Sequence, residues 1–580
     1  MEAYKQQLAQ IFLHNKVLEV PFYQRKYVWG EDDWRRFLDD MITMCQDNEP
    51  YFLGSLILKD KLIEGPNPEG FAGRSIVVDG QQRLTTLLLL MKVIALLSNK
   101  EQQFESLFFI EGSETDETYI ALRHNYNDRD AFEKVMRLSK LDDLSGNRIF
   151  DAYQFFKNSI DVSDPKYQAL KLRTIERNLL FVGIYVGKDE DEQQIFDTIN
   201  SLGVRLTTAE LLKNYFFDEG TLKEFQTYWL PTFEKDDETK AYWDTEVKTG
   251  RITRTLIDNF LFSFLQIKVQ DKSLGIPDEK IAPYQKYDRL FHSYQDFIAS
   301  HYPSGKLSIL PELVEYAALF RSVMRPEVVD EALPPAPGIE RITAVMVGLD
   351  VNTMLPYVLY VLRNVPDQAE RDAIFAILES YVLRRVITRT PNKNYNRFFT
   401  ETLIGNQVLT ADTLRTLLAS MPADNVNAMP SDAAFHDAFL QGHVWQWQAT
   451  RVIYLIESAL RNTGKNATSL NGISSYQLEH LMPVKWRQNW GQVADPDARD
   501  DALQTLGNFA ILPGKLNASV SNADWDAKVA GKGDRGGLSK YASGLVTLNP
   551  WLSLPTWDEH AIHDRGEWLY QQAVKIWPSV

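Results

Sequence analysis

The stretch from Arg74 to Leu97, RSIVVDGQQRLTTLLLLMKVIALL, constrains the fold more than any other part of the chain. It opens on Ser75-Ile76-Val77-Val78, a short β-branched run that reads as a buried strand. It closes on Leu84 to Leu97, apolar almost all round, which predicts a helix buried on every side. Asp79-Gly80-Gln81-Gln82-Arg83 joins the two. Asp-Gly makes the turn because glycine reaches positive φ without steric penalty. Gln81, Gln82 and Arg83 then fall in the first turn of the helix, where free N–H groups and the helix dipole favour an anion. An Arg fork and two amides suit a phosphate or a nucleotide edge. A polar turn capping a core helix would use the same residues, and spacing alone leaves both readings open.

Three further blocks flank this one in order. They are Pro21 to Trp29 (PFYQRKYVW), Tyr51 to Ser55 (YFLGS), and Ile195 to Leu206 (IFDTINSLGVRL), the last continuing into TTAELLKN at Thr207 to Asn214. Together with DGQQR they resemble the N-terminal domain of GmrSD-like type IV restriction enzymes, a ParB/sulfiredoxin-like nucleotide-binding α/β fold. The resemblance spans residues 1–220. It implies binding and hydrolysis of an NTP, with Gln24, Arg25, Asp79, Gly80, Gln81, Gln82 and Arg83 at the nucleotide. Arg25 would be a second phosphate contact beside Arg83. From the residues alone it also reads as a surface arginine stacked on Tyr27 or Trp29. Asn200 and Lys213 either touch the nucleotide or cap and pack.

Composition limits the remaining classes. The net charge of −16 gives no general attraction to DNA, so any DNA contact must come from a local basic cleft. Screening over about 8–10 Å lets such a cleft act independently of distant acids. Cys45 is the only cysteine, which excludes an intramolecular disulfide and a cysteine-based zinc site and suits a reducing cytoplasm. The start, MEAYKQQLAQIF, lacks the basic and apolar regions of a signal peptide, and no apolar run reaches the about 18 residues of a membrane span. Neither a Walker A motif nor a G-x-S-x-G elbow occurs.

Residues 221–440 carry repeated amphipathic helical patterns and read as an α-helical middle region. Within it, YVLRRVITRTPNKNYNRFFT at 381–400 holds Arg384, Arg385, Arg389, Lys393 and Arg397 with no acid among them, interleaved with Tyr395 and Phe398. Phosphates attract the cations and aromatics stack on bases, so these five are candidate DNA contacts. A solvated helix end with cations at its C-terminal dipole is the competing reading.

The last part, 441–580, contains Gln477-Leu478-Glu479-His480-Leu481-Met482-Pro483, then Leu506-Gly507-Asn508, Asn517 and Lys528. This order resembles an HNH-type (His-Me finger) nuclease, a ββα unit that holds one divalent metal. A neutral imidazole takes a proton near pH 7, which makes His480 the candidate base. Glu479 and Asn517 offer hard oxygen ligands for Mg²⁺ or Mn²⁺. Asn508 is the candidate orienting residue, fixing either the loop or the base. Lys528 either contacts the scissile phosphate or sits on a helix surface, and the surface is the favoured reading. His443, His560 and His563 lack partners at metal-ligand spacing.

The sequence therefore leads to a multidomain α+β chain: a nucleotide domain, a helical middle and a C-terminal ββα-metal nuclease within a helical domain. The resemblance implies a cytoplasmic, nucleotide-regulated, metal-dependent endonuclease of phage defence. Its expected partners are an NTP and double-stranded modified phage DNA, such as DNA with hydroxymethylated or glucosylated cytosine, with no membrane. A homodimer is a family-level expectation. The alternative is a nucleotide-switched DNA sensor with a degenerate nuclease, akin to phosphorothioate-sensing nickases.

Overall fold

A computed structural model describes residues 2–12, 16–22, 24, 26–61, 73–111, 118–186, 207–249, 252–461, 469–491, 493–514, 516, 522–532 and 535–580. Arg25, Asn200 and Asn517 lie outside these residues. The chain forms two compact units, Met1–Gln226 and Thr227–Val580, of mixed α+β and mostly helical structure. Among the described residues no helix is long and apolar enough to cross a membrane.

The first unit is built on a mixed sheet. Its strands are β1 (Glu2–Gln7), β2 (Lys16–Glu19), β3 (Tyr51–Lys61), β4 (Gly73–Asp79), β7 (Leu122–Arg123) and β8 (Leu179–Val186), while β5 (Phe109–Glu111) and β6 (Thr118–Ile120) pair separately. The order is β1-β8-β3-β4-β2-β7. β4 runs parallel to β2 and antiparallel to β3, and β3 runs parallel to β8.

Side chains alternate along β4. Ser75 and Val77 are buried on the face that carries the principal core, whereas Arg74 and Ile76 face the other way. The helix Gln81–Ser98 lies within that core, packed by the helices Glu101–Phe108, Arg129–Met136 and Arg148–Ser159. Leu84, Leu87 to Met91, Val93 and Ala95 are all fully enclosed, as the unbroken apolar run requires. Each buried leucine contributes about 1.5–3 kcal/mol. The helix ends at Asn99, whose left-handed φ of 54° lets its N–H cap the carbonyl of Ala95.

Two glycines shape the turn that starts this helix. Gly80 has a φ of 105°, and a Cβ there would meet Leu56 Cδ1 at 2.7 Å. Gly54 has a φ of 123° beside an irregularity in the β3–β8 register, and a Cβ there would run into the guanidinium of Arg83. The YFLGS and DGQQR blocks are thus one structural feature: Gly54 leaves the space that Arg83 fills.

His124, just beyond β7, is enclosed against the same helix. Thr85 Oγ1 donates to the carbonyl of Gln81, so it accepts from His124 Nε2–H at 3.0 Å. Burial lowers the imidazole from 6.5 to about 3, although Asp128 Oδ2 lies 4.0 Å from Nδ1.

The second unit begins its strand content with a hairpin of β9 (Glu246–Thr249) and β10 (Ile252–Thr255), which leads into the helix Leu256–Val269. The long helix Gln368–Ile387 carries Arg384 and Arg385, and both are fully buried. Arg384 donates to the carbonyls of Trp577 (2.8 Å) and Pro430 (3.0 Å), pairs with Asp432 (2.5 Å) and stacks over Phe435. Arg385 donates to the carbonyls of Pro391 (2.6 Å), Ala428 (2.8 Å) and Val426 (3.0 Å), between the rings of Tyr381 and Tyr395. This corrects the expectation that they contact DNA: their donors are already bound to the protein, and no surface is left for a phosphate. Arg389, Lys393 and Arg397 are exposed. Further along, β11 (Tyr476–His480) pairs antiparallel with β12 (Phe509–Pro513). The helix Glu559–Ile576 packs against the turn before β12 and against the helix Asp432–Gln441.

Gly54→Ala should lower stability by about 1–3 kcal/mol in chemical denaturation, because it combines a strained φ with the Arg83 collision; an unchanged midpoint would contradict this packing. His124 should make the folded chain acid-sensitive. The unfolded imidazole takes up a proton near 6.5 that the folded one refuses until about 3, so stability is complete above 6.5 and declines as pH falls through that window. His124→Gln should flatten the stability–pH slope between about pH 5 and 6.5, where few carboxylates titrate; a slope equal to wild type would refute the assignment.

Candidate nuclease centre and nucleotide pocket

His480 ends β11, and the register sets it opposite Phe509, the first residue of β12. The two rings meet edge to face at 4.9 Å. Beyond His480 the chain enters a turn held by Asn508. The amide N–H of Leu481 donates to the carbonyl of Asn508 at 2.9 Å. Asn508 Oδ1 accepts from Met482 N–H (2.8 Å) and Trp557 Nε1–H (3.1 Å), and Nδ2 donates to the carbonyls of Met482 (2.9 Å) and Leu503 (3.1 Å). Of the two roles open to Asn508, its side-chain bonds go to the loop.

The helix Glu559–Ile576 locks this turn from behind. Gly507 lies against the carbonyl of Ile562, where no Cβ would fit. Arg565, fully buried, donates to the carbonyls of Gly507 and Phe509 at 2.7 Å each, and burial lowers it to about 9.

Lys528 is on neither the helix surface nor a route to phosphate. It is buried in the helix Trp525–Ala530, whose N-terminus Asp524 caps, and its ammonium binds the Glu479 carboxylate and the His480 carbonyl, the latter at 2.8 Å. The favoured surface reading is therefore corrected. Burial raises Glu479 and lowers Lys528, each opposed by the charge of the other. Burial, with repulsion from Lys528, also lowers His480 to about 4, against a bond that the ring donates to the Gln504 side chain. The imidazole is neutral at physiological pH, and among the described residues its buried Nε2 has no hydrogen-bond partner.

A divalent metal would need several hard donors converging beside His480. Lys528 occupies Glu479, Asn517 is outside the described residues, and among those described no cluster of three or more His, Cys, Asp or Glu could hold one. The described donors alone do not make a metal site.

In the first unit, Arg83 closes back on its own turn. It pairs with Asp79 at 2.8 Å and reaches the carbonyl of Leu53 at 3.4 Å. Gln82 accepts from Val28 N–H (3.0 Å) and donates to the carbonyl of Lys26 (3.3 Å), Gln24 donates to the carbonyl of Val78 (2.8 Å), and Gln81 is buried. These residues hold the PFYQRKYVW segment against the helix start.

The first unit also holds a cavity of about 260 Å³ that the sequence did not disclose; Pro21 and Phe22 line it, whereas no residue of Asp79–Arg83 does. Arg74, Arg123, Arg129, His124, Asn125 and Asn214 are among its walls. Asn125, in its wall, donates to the carbonyl of Gln24 at 2.8 Å. Arg74 pairs with Glu19 at 3.1 Å, so the cavity is basic but not uniformly so. Lys213, beside Asn214, is buried in the helix Thr208–Phe216. The three arginines lie on different elements, and only the fold brings them together.

The sequence also missed Trp445 and Trp447, which are 60% and 45% exposed. Arg389 stacks over Trp445 at 5.2 Å and Arg451 over Trp447 at 5.4 Å. Exposed aromatics carrying cations are a platform that suits nucleobases and phosphates.

Comparison with known proteins agrees with this division. Residues 8–217 match the family model described as GmrSD restriction endonuclease, N-terminal domain. Residues 429–572 match that described as GmrSD restriction endonucleases, C-terminal domain. No curated protein matches the chain. The first match takes in the DGQQR turn and the basic cavity, the second takes in His480 and Asn508, and together they cover more than half of the sequence: the chain belongs to the GmrSD family of restriction endonucleases.

Proposed function

We propose that this restriction endonuclease cleaves modified phage DNA under the control of a bound NTP, with His480 as its general base. The observation that carries this reading is the neutral imidazole at the start of a rigid turn, inside the segment that matches the restriction endonuclease C-terminal domain. Hydrolysis of a phosphodiester needs a base to take the proton from the attacking water. His480 supplies it in the correct form at pH 7. Asn508, Trp557 and Arg565 position the turn.

The HNH-type ββα fold and a divalent cation, Mg²⁺ or Mn²⁺, belong to this proposal. The cation would draw on Glu479 and Asn517. Lys528 holds Glu479, so the proton transfer rests on His480 and not on a metal ligand. The same ion pair favours a second reading, a DNA sensor whose nuclease has lost its metal. Plasmid nicking with added Mg²⁺ or Mn²⁺ separates the two. His480→Ala should reduce nicking by about 10²–10⁴-fold with folding intact, because it deletes the base; nicking at the wild-type rate would exclude His480 from the mechanism.

The NTP is assigned to the first unit, with its phosphates in the basic cavity. Arg74, Arg123 and Arg129 supply the charge. Gln24, Asp79, Gly80, Gln81, Gln82 and Arg83 do not line this cavity and are proposed as nucleotide contacts on sequence grounds alone. Arg25 and Asn200 remain candidates on sequence grounds, and a homodimer remains a family-level proposal. For control, the NTP must bind one arrangement of the chain more tightly than another; about 1.4 kcal/mol of difference shifts the populations tenfold. Arg123→Gln combined with Arg129→Gln should abolish NTP binding in calorimetry and any NTP-dependent change in cleavage. Titration curves that overlay wild type would take the nucleotide out of this cavity.

A further inference from the structure

The helix Gln446–Leu460 begins at two tryptophans that the proton transfer at His480 does not use. Trp445 anchors its first turn, the carbonyl accepting from Gln448 N–H and Ala449 N–H at 2.8 Å each. Trp447 follows in that turn. Arg451, one turn on, donates to the Trp447 carbonyl at 2.7 Å and stands over the indole. Both rings are thus carried on fixed backbone and still remain 60% and 45% exposed. Arg389 covers Trp445, and its own backbone gives a second observation. The helix Gln368–Ile387 ends in a Schellman motif: Thr390 N–H donates to the carbonyl of Arg385 (2.8 Å) and Arg389 N–H to that of Val386 (3.1 Å). The motif holds Arg389 at a φ of 54°, where glycine is the usual residue because it has no Cβ to strain. Strain of this kind persists where the side chain has a task. Arg389 is exposed and has no carboxylate partner among the described residues, so its charge is not neutralised.

An exposed indole offers a stacking surface, and an unneutralised guanidinium beside it offers a phosphate contact. Inside a duplex both faces of a base are covered by its neighbours, so only an unpaired base can lie on such a ring. We propose that Trp445 and Trp447 stack on unpaired bases of a DNA strand while Arg389 contacts its phosphate, so that the chain holds single-stranded DNA at a nick, gap or end. Every base has a face to stack, so this surface has no preference for sequence or modification. The inference rests on the chain being a DNA endonuclease. Tyr454, about two turns beyond Trp447 on the same helix, meets the ring of Tyr476 at 5.8 Å, and Tyr476 opens the strand that His480 ends. The tryptophans and the base therefore belong to one packed frame. Arg389 acquires a task distinct from the structural one of Arg384 and Arg385, and Arg451 positions Trp447.

The test uses the full chain carrying His480→Ala, so that binding is read without cleavage, and fluorescence anisotropy of labelled oligo(dT), oligo(U) and a blunt duplex. Trp445→Ala combined with Trp447→Ala should weaken oligo(dT) binding by about tenfold or more, and duplex binding by less than about threefold, because stacking needs an open base. Arg389→Gly should reduce the log–log salt slope of oligo(dT) binding by about 0.7, one phosphate contact fewer. Its denaturation midpoint should be no lower than the parent's, because glycine relieves the left-handed backbone. No oligo(dT) binding by the parent, or equal affinity in the double tryptophan variant, overturns the inference. A lowered midpoint with unchanged binding in Arg389→Gly makes Arg389 a structural cap and overturns its role. Oligo(U) bound about tenfold tighter than oligo(dT) assigns the surface to RNA through the 2′-hydroxyl and overturns the DNA assignment. Saturable binding of a polyglutamate peptide that the two tryptophan changes remove, with oligo(dT) unaffected, assigns it to an acidic protein segment and overturns it likewise. A parent chain that cleaves DNA while its tryptophan variant binds oligo(dT) normally refutes this inference alone. A chain that never cleaves but loses oligo(dT) with the two tryptophans refutes the nuclease reading and leaves the surface in place.

Discussion

The second unit depends on cations removed from water. A buried guanidinium or ammonium is tolerable only when its donors are satisfied, and deleting one partner of a buried pair costs about 3–5 kcal/mol. Here the satisfying groups come from distant sequence. Arg341 pairs with Glu379, which also accepts from Trp577 Nε1–H at 2.9 Å. Arg384 binds the carbonyl of that same Trp577. Arg461 pairs with Glu457, whose oxygens also accept from the N–H groups of Val546 and Thr547. Lys528 does the same around the turn after His480, as does Arg565 through Nε and Nη1, while its buried Nη2 has no partner among the described residues.

This arrangement divides the basic stretch 381–400 between two tasks. Arg385 clamps Pro391 and the 426–428 loop from inside, and so sets the path of the chain that carries Arg389, Lys393 and Arg397 outside. The interior cations hold the frame on which the exterior ones are displayed. A substitution that neutralised the whole stretch would unfold the frame along with the surface, and its effect on DNA binding would say nothing about contact.

The legible parts of the sequence were those governed by local rules. The run Leu84 to Leu97 is apolar on all sides, and the helix it forms lies within the core. Gly80 marks a turn with positive φ. Glu479-His480 and Asn508 come together because two short strands pair in register. The illegible parts depend on tertiary placement. Five cations without an acid look solvated, since nothing local says that Arg384 and Arg385 face carbonyls 40 or more positions away. Lys528 sits in a short capped helix that reads as surface until Glu479 is found beneath it. The basic cavity of the first unit assembles from scattered residues, and no spacing rule would have linked Arg74 to Arg129.

The side-chain amide of Asn508 meets both the N–H and the carbonyl of Met482, as a neighbouring peptide group in a sheet would. The strand pair is thereby extended past its own end by a side chain, and the residues after His480 have the orientational freedom of a ladder instead of a loop. The entropy of aligning the base is lost when the chain folds, not when DNA arrives. An aspartate of identical shape could not substitute, because its oxygen would face the carbonyls of Met482 and Leu503 with no proton to offer. Geometry alone thus discriminates between two side chains that differ by one NH₂.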